Sequence, residues 1–199
     1  MTAINDDQNK LFQLSKFCGL GISGSSELAA RAVDLIKSEI DKKQIVYVDD
    51  ILDLCREQIR SRYDDWFAKF QVRERPTLTL TVVGYSSSDF KTYLLSSHTD
   101  FAPNLFPTGN CLAGVPQYAV YLMHRLYDAK MTVGNLTRLA AYLISETATQ
   151  DPKVGGPIRI ASIKKQPGYK ELDAKDVEEI IRRNEEQSTQ LKQFFFQKD

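Results

Sequence analysis

Along this sequence, the predicted strands form hairpins and the predicted helices follow one another in pairs. This order constrains the fold more than any other feature of the sequence. Residues 10–14 and 17–22 are two short apolar segments separated by Ser15-Lys16, a pattern that predicts two strands. Residues 28–36 and 52–70 then place apolar side chains three and four positions apart. This spacing predicts two successive amphipathic helices.

The second half of the chain again predicts a hairpin of strands followed by a pair of helices. Residues 77–83 alternate threonine with apolar side chains, which predicts a strand with Leu78, Leu80 and Val82 on one face. Residues 90–96 form its predicted hairpin partner. The elements predicted after this hairpin are a short strand near Phe101, helices over 119–126 and from about Thr132, a strand at 158–163 and a charged helix from about Asp173.

The predicted order is therefore β-β-α-α-β-β-β-α-α-β-α. Hairpins and helix pairs are typical of an α+β protein whose antiparallel sheets are covered by helices, and not of a parallel doubly wound sheet. We expect one domain over residues 1–199, because no repeat or linker divides the elements. Gly19, Gly21 and Gly24 match G-x-G-x-x-G, but the first two lie inside a predicted strand, so we expect no dinucleotide site.

Charge and hydropathy exclude several classes of protein. The 26 Lys and Arg residues balance 26 Asp and Glu residues, which argues against binding nucleic acid or an anionic membrane by bulk electrostatics. No apolar run approaches the roughly 18 residues of a membrane helix, and no secretion signal opens the chain. We therefore expect a soluble cytoplasmic protein with no nucleic-acid or membrane partner.

Cysteine and histidine are too sparse to suggest a metal centre. The three cysteines are widely spaced, without a C-x-x-C pair, and only two histidines are present. We predict no metal and no cofactor. Cys18 and Cys55 fall in apolar patterns that favour burial, and His124 follows apolar residues on a predicted helix, which favours a partly buried structural role.

Four segments resemble proteasome-type subunits, and in particular the β-type subunits. Residues 127–133, Tyr-Asp-Ala-Lys-Met-Thr-Val, resemble the family's "Y…MT" helix start, and residues 151–163 resemble the later Asp, Gly-Gly pair and core strand. Residues 10–15 and 21–25 resemble the strand, strand and "SG" turn before the first helix. The resemblance covers about residues 10–165 and is weakest over 42–115.

The resemblance implies the four-layer αββα sandwich of the N-terminal-nucleophile hydrolases. Active members are threonine peptidases of ring-shaped assemblies that cleave peptide or protein substrates. An N-terminal threonine attacks the substrate, and its own α-amine, with a pKa of about 7.7–8.0, can accept the proton near neutral pH. A Lys and an Asp set the electrostatics, a backbone N–H at the "SG" turn stabilises the oxyanion, and a late Ser and Asp support the threonine.

Only part of this machinery has a counterpart here. By the resemblance, Gly24 matches the oxyanion glycine and Asp151 the late supporting Asp, while the supporting Ser falls at Gly114 or its neighbours. Val154 stands where some members carry a Ser. Removal of Met1 would make Thr2 the N-terminal threonine and the candidate nucleophile. Lys10 matches a residue slightly beyond the family's Lys and is given no role.

The start of the chain departs from the family pattern. Two strands with their turns, about 30 residues, should precede Lys10, and nine residues do. We therefore expect a member that lacks the first two strands and is inactive by itself. The alternative is a non-catalytic structural or interaction subunit that binds a partner through its charged C-terminal helix, residues 173–199. Residues 194–196, three phenylalanines, either dock that partner or pack onto the domain.

Overall fold

The structure, a computed structural model, describes residues 9–24, 26–152 and 154–196. Within these ranges the chain forms seven strands and five α-helices. The strands are β1 (Leu11–Ser15), β2 (Cys18–Gly24), β3 (Leu78–Tyr85), β4 (Phe90–Ser96), β5 (Asn104–Leu105), β6 (Ala161–Ile163) and β7 (Tyr169–Glu171). The helices are α1 (Ser26–Lys43), α2 (Val48–Trp66), α3 (Gln117–Leu126), α4 (Val133–Gln150) and α5 (Ala174–Phe196).

The chain divides into two compact units. The first contains the described residues up to Gly114 together with Ile163–Lys170, and the second contains Val115–Ser162 and the described residues from Glu171 onward. The sequence predicts a single domain over 1–199, and that assignment stays a prediction.

The first unit is built on a five-stranded antiparallel sheet in the order β1-β2-β3-β4-β5. The strict alternation of β3 sets its register, because Leu78, Leu80 and Val82 must all face the same side. Leu80 pairs with Ile22 of β2 and with Leu95 of β4, so a continuous apolar row crosses the sheet.

Helices α1 and α2 supply the other half of this core. Their apolar stripes are buried together with Cys18, Leu20 and Ile22 of β2. Burial of one face stabilises both helices, although α2 ends at Trp66 and not at residue 70 as the spacing predicted. The contributing side chains are Leu28, Ala29, Ala32, Val33, Ile36 and Ile40 from α1 and Val48, Ile51, Leu52, Leu54, Cys55, Ile59 and Tyr63 from α2.

On the opposite face of the sheet, strand β2 carries glycines. Gly19 and Gly21 of β2 pair with Val83 and Thr81 of β3 on this face. The ring of Tyr169 covers Gly19 so closely that a Cβ atom there would lie 2.9 Å from the tyrosine Cε2 atom. Glycine at position 19 therefore lets an aromatic ring rest directly on the strand backbone.

The second unit contains helices α3, α4 and α5. Ala141 of α4, Ile160 and Val177 of α5 form its small buried cluster. Thr132 caps α4, since its side chain accepts a hydrogen bond from the backbone N–H of Asn135 at 3.3 Å. The helix start predicted near Thr132 is thus confirmed.

Strands β6 and β7 form a two-stranded sheet. Strand β6 is shorter than the strand predicted at 158–163, and the sequence did not predict β7. Residues 158–160 of the predicted strand lie outside β6. The strand predicted near Phe101 is also displaced: β5 is formed by Asn104–Leu105, while Phe101 adopts a left-handed backbone conformation in the preceding turn.

The α+β class with antiparallel sheets is confirmed, whereas the four-layer αββα arrangement stays a prediction. None of the described helices is both long and apolar enough to cross a membrane.

Candidate functional site

Gly24, the predicted oxyanion glycine, ends β2 in a conformation that requires glycine. Its φ angle is +102°, and a Cβ atom would lie 2.1 Å from the carbonyl oxygen of Thr77. A side chain at this position would be strained by the backbone angle and would also overlap the neighbouring strand. The resemblance and the local geometry therefore agree on glycine at position 24.

Gly114 lies beside the same turn. It has a φ angle of +99°, and a Cβ atom there would lie 2.7 Å from the Oγ atom of Ser23. Position 114 is where the resemblance would put the supporting serine. The structure thus brings this position next to residues 23–24, and the hydroxyl at this place belongs to Ser23.

Three polar side chains that the sequence did not predict lie near the start of β3. Thr77 Oγ1 and His98 Nε2 are 3.1 Å apart, and the backbone N–H of Leu78 donates to Ser97 Oγ at 3.1 Å. Ser97 and His98 belong to a 3-10 turn, Ser97–Thr99, that directly follows β4. Residues 24, 77 and 97 lie at the same end of the three neighbouring strands β2, β3 and β4. Only the register of the sheet could have revealed this cluster.

A hydroxyl bonded to an imidazole can be a nucleophile and its base, but a third group must orient the imidazole. Asp100, two residues after His98, is instead paired with Arg60, whose Nε atom lies 2.9 Å from Asp100 Oδ1. Within the described ranges no carboxylate hydrogen-bonds to His98. The Thr77–His98 pair therefore lacks the orienting carboxylate of a hydrolytic triad.

A cavity of about 470 Å³ opens beside this end of the strands. Its wall contains two arginines, one histidine and two aspartates. Arg75 Nη1 donates to Asp64 Oδ1 at 2.8 Å, and its guanidinium carbon lies 5.9 Å from the ring centre of Tyr63. The sequence signal here is the Arg-Glu-Arg-Pro stretch at 73–76, whose first two residues lie in the 3-10 turn Val72–Glu74.

The other two predicted site residues are Asp151 and Thr2. Asp151 ends α4 in the second unit, where its backbone N–H donates to the carbonyl oxygen of Thr147 at 2.9 Å. Thr2 lies outside the described residues. Its role as nucleophile, like that of Asp151 as a supporting acid, stays a prediction.

The cysteines are not activated nucleophiles. Burial raises the pKa of the Cys55 thiol to about 12, and burial next to Cys55 raises the pKa of Cys18 as well. Burial also raises the pKa of Cys111, although a hydrogen bond with Thr81 acts in the opposite direction. A reactive cysteine needs a lowered pKa, so these thiols are poor attacking groups.

Cys18 and Cys55 are buried as predicted, but the prediction for His124 is wrong. Its neighbour Met123 is buried, and His124 is exposed because one residue turns the helix by about 100°. Among the described residues, no group of three His, Cys, Asp or Glu side chains could hold a metal ion.

Among the solved structures that this chain resembles is an Anbu (Gly-1) mutant from Hyphomicrobium sp. strain MC1. The match has a TM-score of 0.69 and covers 100% of this chain and 90% of that chain, at 13% sequence identity. The fold is proteasome-like. At this identity the likeness concerns the fold alone.

No family model matches the sequence, and no curated protein is similar to it. The proteasome-like fold is consistent with the order of elements predicted from sequence. Within that fold, position 24 at the end of β2 keeps a glycine that no other residue could replace without strain.

Proposed function

We propose that this chain is a proteasome-like subunit that assembles into a homo-oligomeric ring and has no threonine-peptidase activity of its own. The single observation that carries the proposal is the proteasome-like fold, which extends over the whole chain and 90% of Anbu. In a closed ring, each subunit contacts the next through the same pair of complementary surfaces. Copies of one chain can therefore form the ring without another component.

The Gly24 turn supports the non-catalytic part of the proposal. Gly24, the oxyanion glycine by the resemblance, has a φ angle of +102°, and Gly114, which lies next to Ser23, has no hydroxyl. Val154, at the second position where some family members carry a serine, is also without one. By the resemblance, both positions whose hydroxyls would assist a nucleophile lack one, and the hydroxyl next to position 114 belongs to Ser23.

The cysteines support a cytoplasmic location. Cys18, Cys55 and Cys111 are all free thiols, and two of them are buried. Unpaired cysteines are typical of proteins that work in reducing compartments.

The test combines native mass spectrometry with an electrophile that acylates N-terminal threonines. The proposal predicts a closed oligomer that stays unlabelled and does not hydrolyse fluorogenic peptides. A monomer at micromolar concentration would contradict ring assembly. Labelling of Thr2 that is lost in Thr2→Ala, together with peptide hydrolysis, would show a peptidase instead.

The C-terminal helix supports a second candidate function, that of an interaction subunit. The exposed fractions of Phe194, Phe195 and Phe196 are 75%, 68% and 80%, so none of the three packs onto the protein. Exposed aromatic clusters of this kind are typical of binding surfaces. Replacing all three with serine should leave thermal stability unchanged, and loss of assembly in this variant would assign the helix to subunit contacts.

A further inference from the structure

The cavity in the first unit is lined by residues from three segments. These are the C-terminal part of α2, the 3-10 turn Val72–Glu74 with the following arginine, and the turn after β4. The lining residues are Tyr63, Asp64, Val72, Arg73, Arg75, Ser97, His98, Asp100 and Phe101. None of these residues belongs to the Gly24 turn, although Ser97 and His98 also belong to the polar cluster near Thr77.

The charges in the cavity favour an anionic ligand. Both carboxylates are already engaged: Asp64 by Arg75 at 2.8 Å, and Asp100 by Arg60 at 2.9 Å from outside the lining. Arg73 makes no hydrogen bond or ion pair with any described residue, so its guanidinium is available. The cavity therefore offers unused cationic donors and no unpaired carboxylate.

Arg75 adds a second sign of a binding site. Its side chain is 17% exposed, and its Nε atom is buried without a hydrogen-bond partner. A buried donor without a partner destabilises a fold, so its presence beside a cavity needs a reason.

The backbone of the cavity wall is also strained. Asp100 and Phe101 have φ angles of +52° and +55°, which non-glycine residues rarely adopt, and here two of them follow each other. Phe101 is only 1% exposed, so its buried ring holds this turn in place. Strain of this kind persists where the surrounding packing maintains it, and it is concentrated at ligand sites.

We propose that this cavity binds a small phosphomonoester. Arg73, Arg75 and His98 surround the phosphate group, while Tyr63 and Val72 contact the organic part. Guanidinium groups bind phosphate through two parallel hydrogen bonds, and several donors around one centre suit a tetrahedral dianion. A volume of about 470 Å³ exceeds that of a phosphate ion and leaves room for an organic group.

The test measures binding of phenyl phosphate, inorganic phosphate and benzoate to the full-length chain by isothermal titration calorimetry. We expect phenyl phosphate to bind most tightly, because it has both the dianion and the apolar group. Arg73→Gln should weaken its binding by about tenfold or more, the effect of losing a charge-assisted hydrogen bond. Arg73 holds no other residue, so this variant should fold normally.

Arg62→Gln is the matched control, since Arg62 is exposed on α2 and does not line the cavity. It should bind phenyl phosphate as the wild-type chain does. Three results would overturn the proposal: no heat of binding with phenyl phosphate, equal weakening in both variants, or benzoate binding as tightly as phenyl phosphate. The titration does not depend on ring assembly, so its outcome is separate from that of the proposed function.

Discussion

The Oγ atom of Ser23 lies 2.7 Å from the position that a Cβ atom on Gly114 would occupy. These two residues come from β2 and from the segment just before α3. Their proximity explains why the turn at 23–24 accommodates no side chain at position 114. The hydroxyl that the resemblance would place at 114 is present, but on the neighbouring strand.

We expect Gly114→Ser to destabilise the protein by about 1–3 kcal/mol, because a side chain is strained at a φ angle of +99° and also meets Ser23. Urea unfolding measures the change. Adding Ser23→Ala should recover part of the loss, since it removes the Oγ atom and leaves the backbone strain. A fully additive double variant would contradict the contact.

Gly24→Ala should cost more, about 3 kcal/mol or above, because its Cβ atom would overlap the carbonyl oxygen of Thr77 rather than a movable side chain. Gly109→Ala is the control. Gly109 also has a positive φ angle, +72°, but no atom lies within 4 Å of its Cβ position, so only about 1 kcal/mol of strain is expected. Equal losses of unfolding free energy in the two variants would refute this account of the β2 turn.

The charged face of α5 should respond to acid. Hydrogen bonds from Arg182 and Arg183 lower the pKa of Glu179 to about 2, from an ordinary value of 4.5. A lowered carboxylate pKa stabilises the folded state above pH 4.5, and this contribution is lost as the pH falls toward 2. NMR titration should find the low pKa in the wild-type chain and a value closer to 4.5 in Arg182→Gln. An unchanged Glu179 titration in that variant would contradict the assignment.

The three thiols should differ in their reaction with iodoacetamide. Cys18 and Cys55 are fully buried with raised pKa values, so we expect them to react only after unfolding. Cys111 is half-buried and should react first, but slowly, because burial raises its pKa too. Mass spectrometry counts the labels, and Cys111→Ser should abolish labelling of the native protein. Rapid native labelling at Cys55 would contradict the packing of α2.

Sequence patterns predicted those elements whose packing repeats along the chain. The alternation around Leu80 and the spacing through Ile59 correctly predicted β3 and α2, because burial of one face sets both patterns. The two-residue strand β5 and the three-residue strand β7 are too short to show a period. The sequence predicted a strand near Phe101. Phe101 is buried, but it lies in a turn where its backbone is left-handed.

The candidate sites were predictable only where backbone conformation demands a particular residue. Gly24 was identified through the resemblance of the "SG" turn, and its φ angle of +102° accounts for the glycine there. The Thr77–His98 pair joins the residue before β3 to the 3-10 turn after β4, and the cavity joins α2, the 3-10 turn Val72–Glu74 and the turn after β4. Such clusters depend on strand register and helix docking, which leave no trace in local spacing.

The backbone N–H of Tyr169 donates to the carbonyl oxygen of Lys16 at 2.8 Å, in the turn between β1 and β2, and the tyrosine ring rests on Gly19. About three quarters of the chain lies between these partners. During synthesis the first hairpin therefore emerges from the ribosome long before the segment that covers it. Strands β1 and β2 are therefore synthesised well before the segment that packs on them. A nascent chain stopped before Tyr169 would lack the ring that covers Gly19.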